Sequence, residues 1–232
     1  MKVKLIAYTP NPDRVCDMAA STCVSEEIPV LNNVFGAEAP KLNALKGALK
    51  SGHESVVEHA TFTFAISGVS RALTHQLVRH RMASFSQQSQ RYVNMDEFEY
   101  VTPDSIRNKV GIWWNESEGM FTTLKVYDQL MNYIQELYTE MVRAGIPEED
   151  ARYILPNACC TNIVVTMNAR ELRHFFRLRC CTRAQWEIRE LANKMLELCK
   201  EVAPVLFDGA GASCVATGRC PEGKKSCGRV KE

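Results

Sequence analysis

From Arg79 to Arg91 the chain reads Arg-His-Arg-Met-Ala-Ser-Phe-Ser-Gln-Gln-Ser-Gln-Arg, three arginines and one histidine around a polar elbow. No aspartate or glutamate occurs between Ala60 and Met95. Fixed cations without neighbouring acids attract an anion, and a formal net charge of only +1 means that a generally basic composition does not explain them. The type of cation is selective as well. Lys50 is followed by no lysine until Lys109 and Lys125 by none until Lys194, while thirteen arginines fall in those two gaps, from Arg71 to Arg189. A guanidinium grips phosphate or carboxylate through two bonds, stacks on flat rings and keeps its charge, so the expected ligands are phosphorylated and planar. Arg71, Arg143, Arg173 and Arg189 read equally well as solvated helix faces.

Elements must hold these side chains. Lys2 to Thr9 reads as a first strand, and Pro40 to Ser51 as a helix with Leu42, Leu45 and Leu49 on one face and Gly52 as its stop. Thr61 to Ser67 alternates at period two, with Gly68 ending the strand. From Ser70 to Met82 a helix is expected, with Ala72, Gln76 and Arg79 or His80 on one face, so that Gln76 and Arg79 reach one ligand. Gly119 to Ala144 carries Met120, Leu124, Tyr127, Met131, Ile134, Tyr138 and Met141 at three-four spacing, a long amphipathic helix stopped by Gly145 and Pro147. Ala151 to Leu155 reads as a short helical piece and Cys159 to Thr166 as a strand. Asn168 and Glu171 form the start signal of a second cationic helix, along which Arg170, His174 and Arg177 share a row and Arg179 stands near the end. Ala184 to Val202 is the last helix. This order predicts an α+β fold, a central antiparallel or mixed sheet flanked by helices, in a single domain over residues 1–208 with a cysteine- and glycine-containing tail over 209–232.

At 232 residues, 46% apolar and 24% charged, the chain is long enough for its own core. No apolar run approaches membrane-spanning length and the N-terminus lacks a secretion signal, so a cytoplasmic protein is expected. Ten cysteines in such a compartment read as thiols. Glycine-rich phosphate loops and His-Glu-x-x-His are absent, and His53 with His59 lacks a third ligand nearby, so no metal is expected among the site residues. Cys214, Cys220 and Cys227 could hold zinc with Cys199, but their spacing fits no standard zinc module and a plain flexible tail is the simpler expectation.

Arg79-His80-Arg81, seven residues, then Ser89 and Arg91 resembles the signature of the flavin-dependent thymidylate synthases. Gly52-His53-Glu54-Ser55 through Glu58-His59, Phe62-Thr63-Phe64, Ala151-Arg152 with Leu155-Pro156, Asn168-Ala169-Arg170, Leu178-Arg179 and Ala184 to Ile188 resemble the family's other segments, in the family's order. The resemblance implies reductive methylation of deoxyuridine monophosphate (dUMP) to thymidine monophosphate, with FAD as cofactor and methylenetetrahydrofolate and NADPH as co-substrates. By position, Ser55, Arg79, His80, Arg81, Gln87, Asn168, Arg170 and His174 are the implied flavin contacts. Gln76, Arg79, Gln87, Gln88, Ser89, Gln90, Arg91, Arg152 and Arg179 are the implied dUMP contacts, with the phosphate meeting Arg91 and Arg152. Arg179 corresponds to the activating arginine, whose charge against the uracil ring favours the anionic pyrimidine and makes carbon 5 nucleophilic. Ser89 is read as a binding residue and not a nucleophile, and no cysteine matches a family nucleophile.

Two departures stand out: Ser86-Gln87 replaces the more common Asn-Glu, and Arg183 occupies a position where some relatives carry histidine. The family implies a homotetramer with shared sites and neither nucleic acid nor membrane as a partner. Two alternatives fit the charge pattern, an arginine-rich nucleic-acid-binding protein and a flavoprotein of the same fold without methyl transfer.

Overall fold

Alternation makes the central strand. Phe62, Phe64 and Ile66 point inward while Thr61, Thr63 and Ala65 face the other way, which only an extended chain achieves. The computed structural model describes residues 1–26, 41–109, 113–115 and 119–230. In chain order the elements are β1 (Lys2–Tyr8), α1 (Pro12–Thr22), α2 (Asn43–Lys50), β2 (Thr61–Ser70), α3 (Arg71–Leu77), β3 (Ala83–Gln87), α4 (Asp104–Arg107), β4 (Trp113–Asn115), β5 (Gly119–Phe121), α5 (Thr123–Arg143), α6 (Glu148–Ala151), β6 (Cys160–Asn168), α7 (Ala169–Arg179), α8 (Trp186–Val202) and α9 (Ser213–Thr217). Tight 3-10 turns cover Glu54–His59, Arg152–Ile154 and Gly223–Lys225. Four strands form an antiparallel sheet in the order β1-β2-β6-β3, and β4 pairs with β5 in a small antiparallel ribbon. The α+β expectation holds.

Contacts divide the chain into two compact units. The first comprises Met1–Ile66, Gln76–Ser86 and Val164–Glu232. Its core joins Phe62 to Phe207 edge-on at 5.3 Å, Phe207 to Phe176 at 5.9 Å and Phe176 to Phe175 at 5.6 Å. Ile188, Leu191, Ala192, Met195 and Cys199 of α8 are buried at helical spacing. The buried Asp13 carboxylate accepts the backbone N–H groups of Val205 and Leu206 at 3.0 and 2.9 Å, pinning the segment after α8. Burial raises its pKa, against the two backbone donors, which lower it.

The second unit, Ser67–His75 with Gln87–Ile163, is organised by α5. The Thr122 hydroxyl caps this helix by accepting Lys125 N–H, and Met131 and Tyr138 pack with Met95, Phe98, Ala151 and Cys159. Leu130, Tyr133 and Leu137 form an exposed stripe on another face.

The structure moves several expected boundaries. β2 runs on past Gly68, which takes φ 64 within the strand, a conformation open to glycine at little cost. α3 ends at Leu77 and not near Met82, and the elbow after it becomes strand β3, whose residues alternate in burial from Ala83 to Gln87. α5 begins at Thr123 because Thr122 serves as its cap. α2 begins at Asn43, after Leu42 at φ 49, and Pro40 lies outside the described residues. Helix α1 had no strong apolar period to announce it, since Cys16 and Ala20 are its only buried apolar residues apart from Pro12. No helix among the described residues is long and apolar enough to cross a membrane.

Candidate active site

Helix α7 carries the centre of the first unit's site. The Asn168 side chain accepts Glu171 N–H at 2.9 Å, so β6 turns directly into a capped helix whose rows are fixed from the first turn. At its far end the half-buried Arg179 donates from Nε to His80 Nε2 at 3.2 Å and from a terminal nitrogen to the Gln76 carbonyl at 3.3 Å. His80 is 4% exposed, with its ring edge-on to Phe175 at 4.9 Å and near His174 at 5.9 Å. Its Nδ1 lies 3.0 Å from Glu171 Oε1. An arginine Nε can only donate, so His80 Nε2 must carry the lone pair and Nδ1 the proton, which it donates to Glu171. The imidazole is therefore neutral. Burial lowers its pKa, the Glu171 hydrogen bond raises it, and the Arg179 charge lowers it again, for a net depression.

Arg179 itself has its pKa lowered by burial and then by the neighbouring Arg79. Neither Arg79 nor Arg81 has an ion-pair partner among the described residues, and both are exposed. Like charges crowded this way are relieved by an incoming anion. A cavity of about 340 Å³ in the same unit is lined by Glu54, Glu58, Arg170, Glu171, His174 and Arg177 among others. Arg170 pairs with Glu58 and Arg177 with Glu54, and the Glu58 carboxylate raises the pKa of Arg170. Exposed Ser55 sits in the 3-10 turn between those glutamates. An open, polar cavity of this size has room for part of a nucleotide ligand.

His80, Glu171 and His174 bring three potential metal-binding atoms within 4.8 Å of one another. They do not make a ready cation site. The single lone pair of neutral His80 is already taken by Arg179, and ligation would break that bond.

The remaining expected site residues fall in the second unit. The Gln87 side-chain amide donates to Thr74 Oγ1 at 3.0 Å and Thr161 Oγ1 at 3.3 Å. Gln88 is tied to Asn162 through backbone and side chain, at 2.9 and 3.0 Å. Ser89 Oγ accepts Arg91 N–H at 3.1 Å, and buried Gln90 donates to Cys159 Sγ at 3.8 Å. Arg91 meets the Glu149 carboxylate at 2.9 Å and stacks on Tyr92, while Arg152 donates to the Glu149 carbonyl at 3.0 Å. The two arginines expected to share a phosphate thus converge on one residue. Arg71, which reads from sequence as an ordinary surface cation, is half-buried and close enough to Arg152 to have its pKa lowered by that charge after burial. Arg143 pairs with Glu140, Arg173 donates to the Leu206 carbonyl and Arg189 to that of Thr182, which are structural roles.

Glu171 is the main residue that sequence reading left without a role in the site, since its helix-start signal accounted for it fully. All ten cysteines are free. Burial pushes Cys16 and Cys180 up to about 12 and Cys159 up to about 11, so these sulfurs stay protonated and non-nucleophilic.

A family model described as thymidylate synthase complementing protein matches residues 4–205. The flavin-dependent thymidylate synthase of Clostridium tetani is 50% identical, over 100% of this chain and 95% of its own length. That of Geobacter sulfurreducens is 47% identical over 100% and 96%, and that of Pyrococcus abyssi 43% identical over 96% and 90%.

Proposed function

The chain belongs to the thymidylate synthase complementing protein family, and from that premise we propose that it converts dUMP to thymidine monophosphate, with FAD as cofactor, methylenetetrahydrofolate as one-carbon donor and NADPH as reductant. The observation that carries the reading is Arg179, held by a neutral histidine and crowded by the charge of Arg79. A guanidinium fixed in this way is pre-organised for an anionic pyrimidine and needs no rearrangement when charge develops on the ring.

The flavin supplies hydride and one-carbon transfer chemistry when bound. The proposed flavin set is Ser55, Arg79, His80, Arg81, Gln87, Asn168, Arg170 and His174. Arg79 and Arg81, without ion-pair partners among the described residues, supply charge for the pyrophosphate, and His80, with both nitrogens engaged, acts by holding Arg179. The proposed dUMP set is Gln76, Arg79, Arg179, Gln87, Gln88, Ser89, Gln90, Arg91 and Arg152. Arg91 and Arg152 take the phosphate, which displaces Glu149 from a half-exposed pair that contributes little by itself. Residues 1–208 form the enzyme proper and 209–232 a tail, consistent with a family match ending at residue 205. The protein acts in the cytoplasm as a homotetramer, and the exposed Leu130, Tyr133 and Leu137 stripe of α5 offers apolar surface for that assembly.

Purified protein is expected to be yellow, to bleach with NADPH under nitrogen, and to form thymidine monophosphate only when methylenetetrahydrofolate is present. A colourless preparation that cannot be reconstituted with FAD overturns the reading. A preparation that bleaches but never forms product identifies a flavoprotein without methyl transfer.

A further inference from the structure

Away from the arginine site, four cysteines line one small cavity of about 60 Å³: Cys181 in the turn after α7, Cys214 in α9, and Cys220 and Cys227 in the tail. Three of the four lie beyond residue 205, where the family match ends. Among the described residues no three of these sulfurs come within 4.8 Å of one another, so the cavity is not a preformed thiolate cage for a metal. Cys199, which sequence suggests as a partner for the tail cysteines, is fully buried in α8 and does not line this cavity.

The thiols differ in what surrounds them. Exposed Cys23 donates its S–H to the Ala19 carbonyl at 3.4 Å. Exposed Cys227 instead interacts with the Thr182 hydroxyl and the Arg229 backbone N–H, and the Arg229 guanidinium adds positive charge. These contacts, the Thr182 bond first, lower its pKa. Thr182 follows Cys181 directly, and Cys181 Sγ accepts Arg183 N–H at 3.5 Å. The donors that favour a thiolate at residue 227 therefore come partly from the segment that carries a second thiol.

We propose that Cys227 and Cys181 form a hydroperoxide-reactive dithiol site. The Cys227 thiolate attacks the terminal oxygen of the hydroperoxide. An S–O bond forms as the O–O bond breaks, the leaving alkoxide or hydroxide departs as alcohol or water after taking a proton, and the sulfur is oxidised to sulfenic acid. Cys181 then attacks that sulfur, an S–S bond forms, and the hydroxide released leaves as water with the Cys181 proton. Two thiols are oxidised and one hydroperoxide is reduced, with no other reagent. The bond ties the tail to the turn that starts two residues after Arg179, and an external dithiol reverses it.

The test uses the full-length protein and hydrogen peroxide in the absence of NADPH, read by peptide mass spectrometry. Cys227 should be alkylated by iodoacetamide at least about threefold faster than Cys23 at neutral pH, because the donors around its own sulfur favour the thiolate. Peroxide should then give a Cys181–Cys227 linked peptide that dithiothreitol removes. In Cys181→Ser the link should be replaced by a dimedone-trapped sulfenate at Cys227. Equal labelling of Cys227 and Cys23, no disulfide, or a disulfide between other residues overturns the proposal, and the wild-type mapping decides it even if the variant misfolds.

Discussion

Arg179 is useful because of what cannot move around it. Its Nε–H needs an acceptor, and neutral His80 is one only while Nε2 is unprotonated. Truncating the guanidinium should remove a charge interaction that matters most as the pyrimidine becomes anionic. Arg179→Ala is therefore expected to lose about 10²- to 10³-fold in kcat while retaining its flavin spectrum, and a loss confined to KM would assign Arg179 to ground-state binding only. Protonating His80 should disorder the same arginine, so the acid side of the kcat–pH profile reports this imidazole. Glu171 raises the His80 pKa, whereas burial, Arg179 and His174 lower it. Glu171→Gln keeps an acceptor for Nδ1–H but removes the negative charge, and should shift the acid limb to lower pH. A shift upward, or none, would detach His80 from the activity. The sign for stability follows from the same depression: between the folded pKa and the unfolded value of about 6.5 the unfolded chain binds more protons. Stability should therefore fall as pH drops through that window, seen as a falling Tm that His80→Gln flattens.

Helices and strands were readable where one pattern sufficed. The alternation of β2, the three-four row of α5 and the Asn168 cap of α7 each lie within a short window, and each element formed near its expected place. Gln185 adds a further cap, its side chain accepting both Glu187 and Ile188 N–H at 3.0 and 3.1 Å. Gln185→Ala should cost about 1 kcal/mol in denaturant unfolding, whereas Phe207→Ala, which empties an aromatic cluster, should cost about 3–5 kcal/mol. Comparable losses would mean that the α8 cap contributes as much to this unit as the Phe62–Phe207–Phe176 cluster. Other elements depended on partners far along the chain. β3 looks like a polar loop because serines and glutamines fill it, and its place beside β6 supplies the ladder that makes it a strand. Likewise α1 is held by Asp13 bonding to residues 205 and 206, a contact invisible in any local window. The site followed the same rule. The arginines were legible by type, but the roles of Glu171, Glu149 and Arg71 emerged only from the fold.

Across the chain, one arginine between Ala60 and Met95 meets an acid from another segment among the described residues, Arg91 with Glu149. Neutral His80 donates to Glu171, and the α7 arginines are answered from the 3-10 turn, Arg170 by Glu58 and Arg177 by Glu54. Arg79 and Arg81 have no ion-pair partner among the described residues. The exposed apolar stripe on α5 extends the question to assembly, because such a surface is stabilised by a second copy. If sites are shared between copies, Arg152 of one chain serves the Arg179 of another. Arg152→Ala and Arg179→Ala should each be inactive alone. After subunit exchange of an equal mixture, half the sites draw Arg152 from a chain that still has it, and half of those meet an intact Arg179. About a quarter of wild-type activity should return for randomly mixed, shared sites. Activity that stays at the level of the single variants, although mass spectrometry shows mixed oligomers, would place both arginines of each site on one chain.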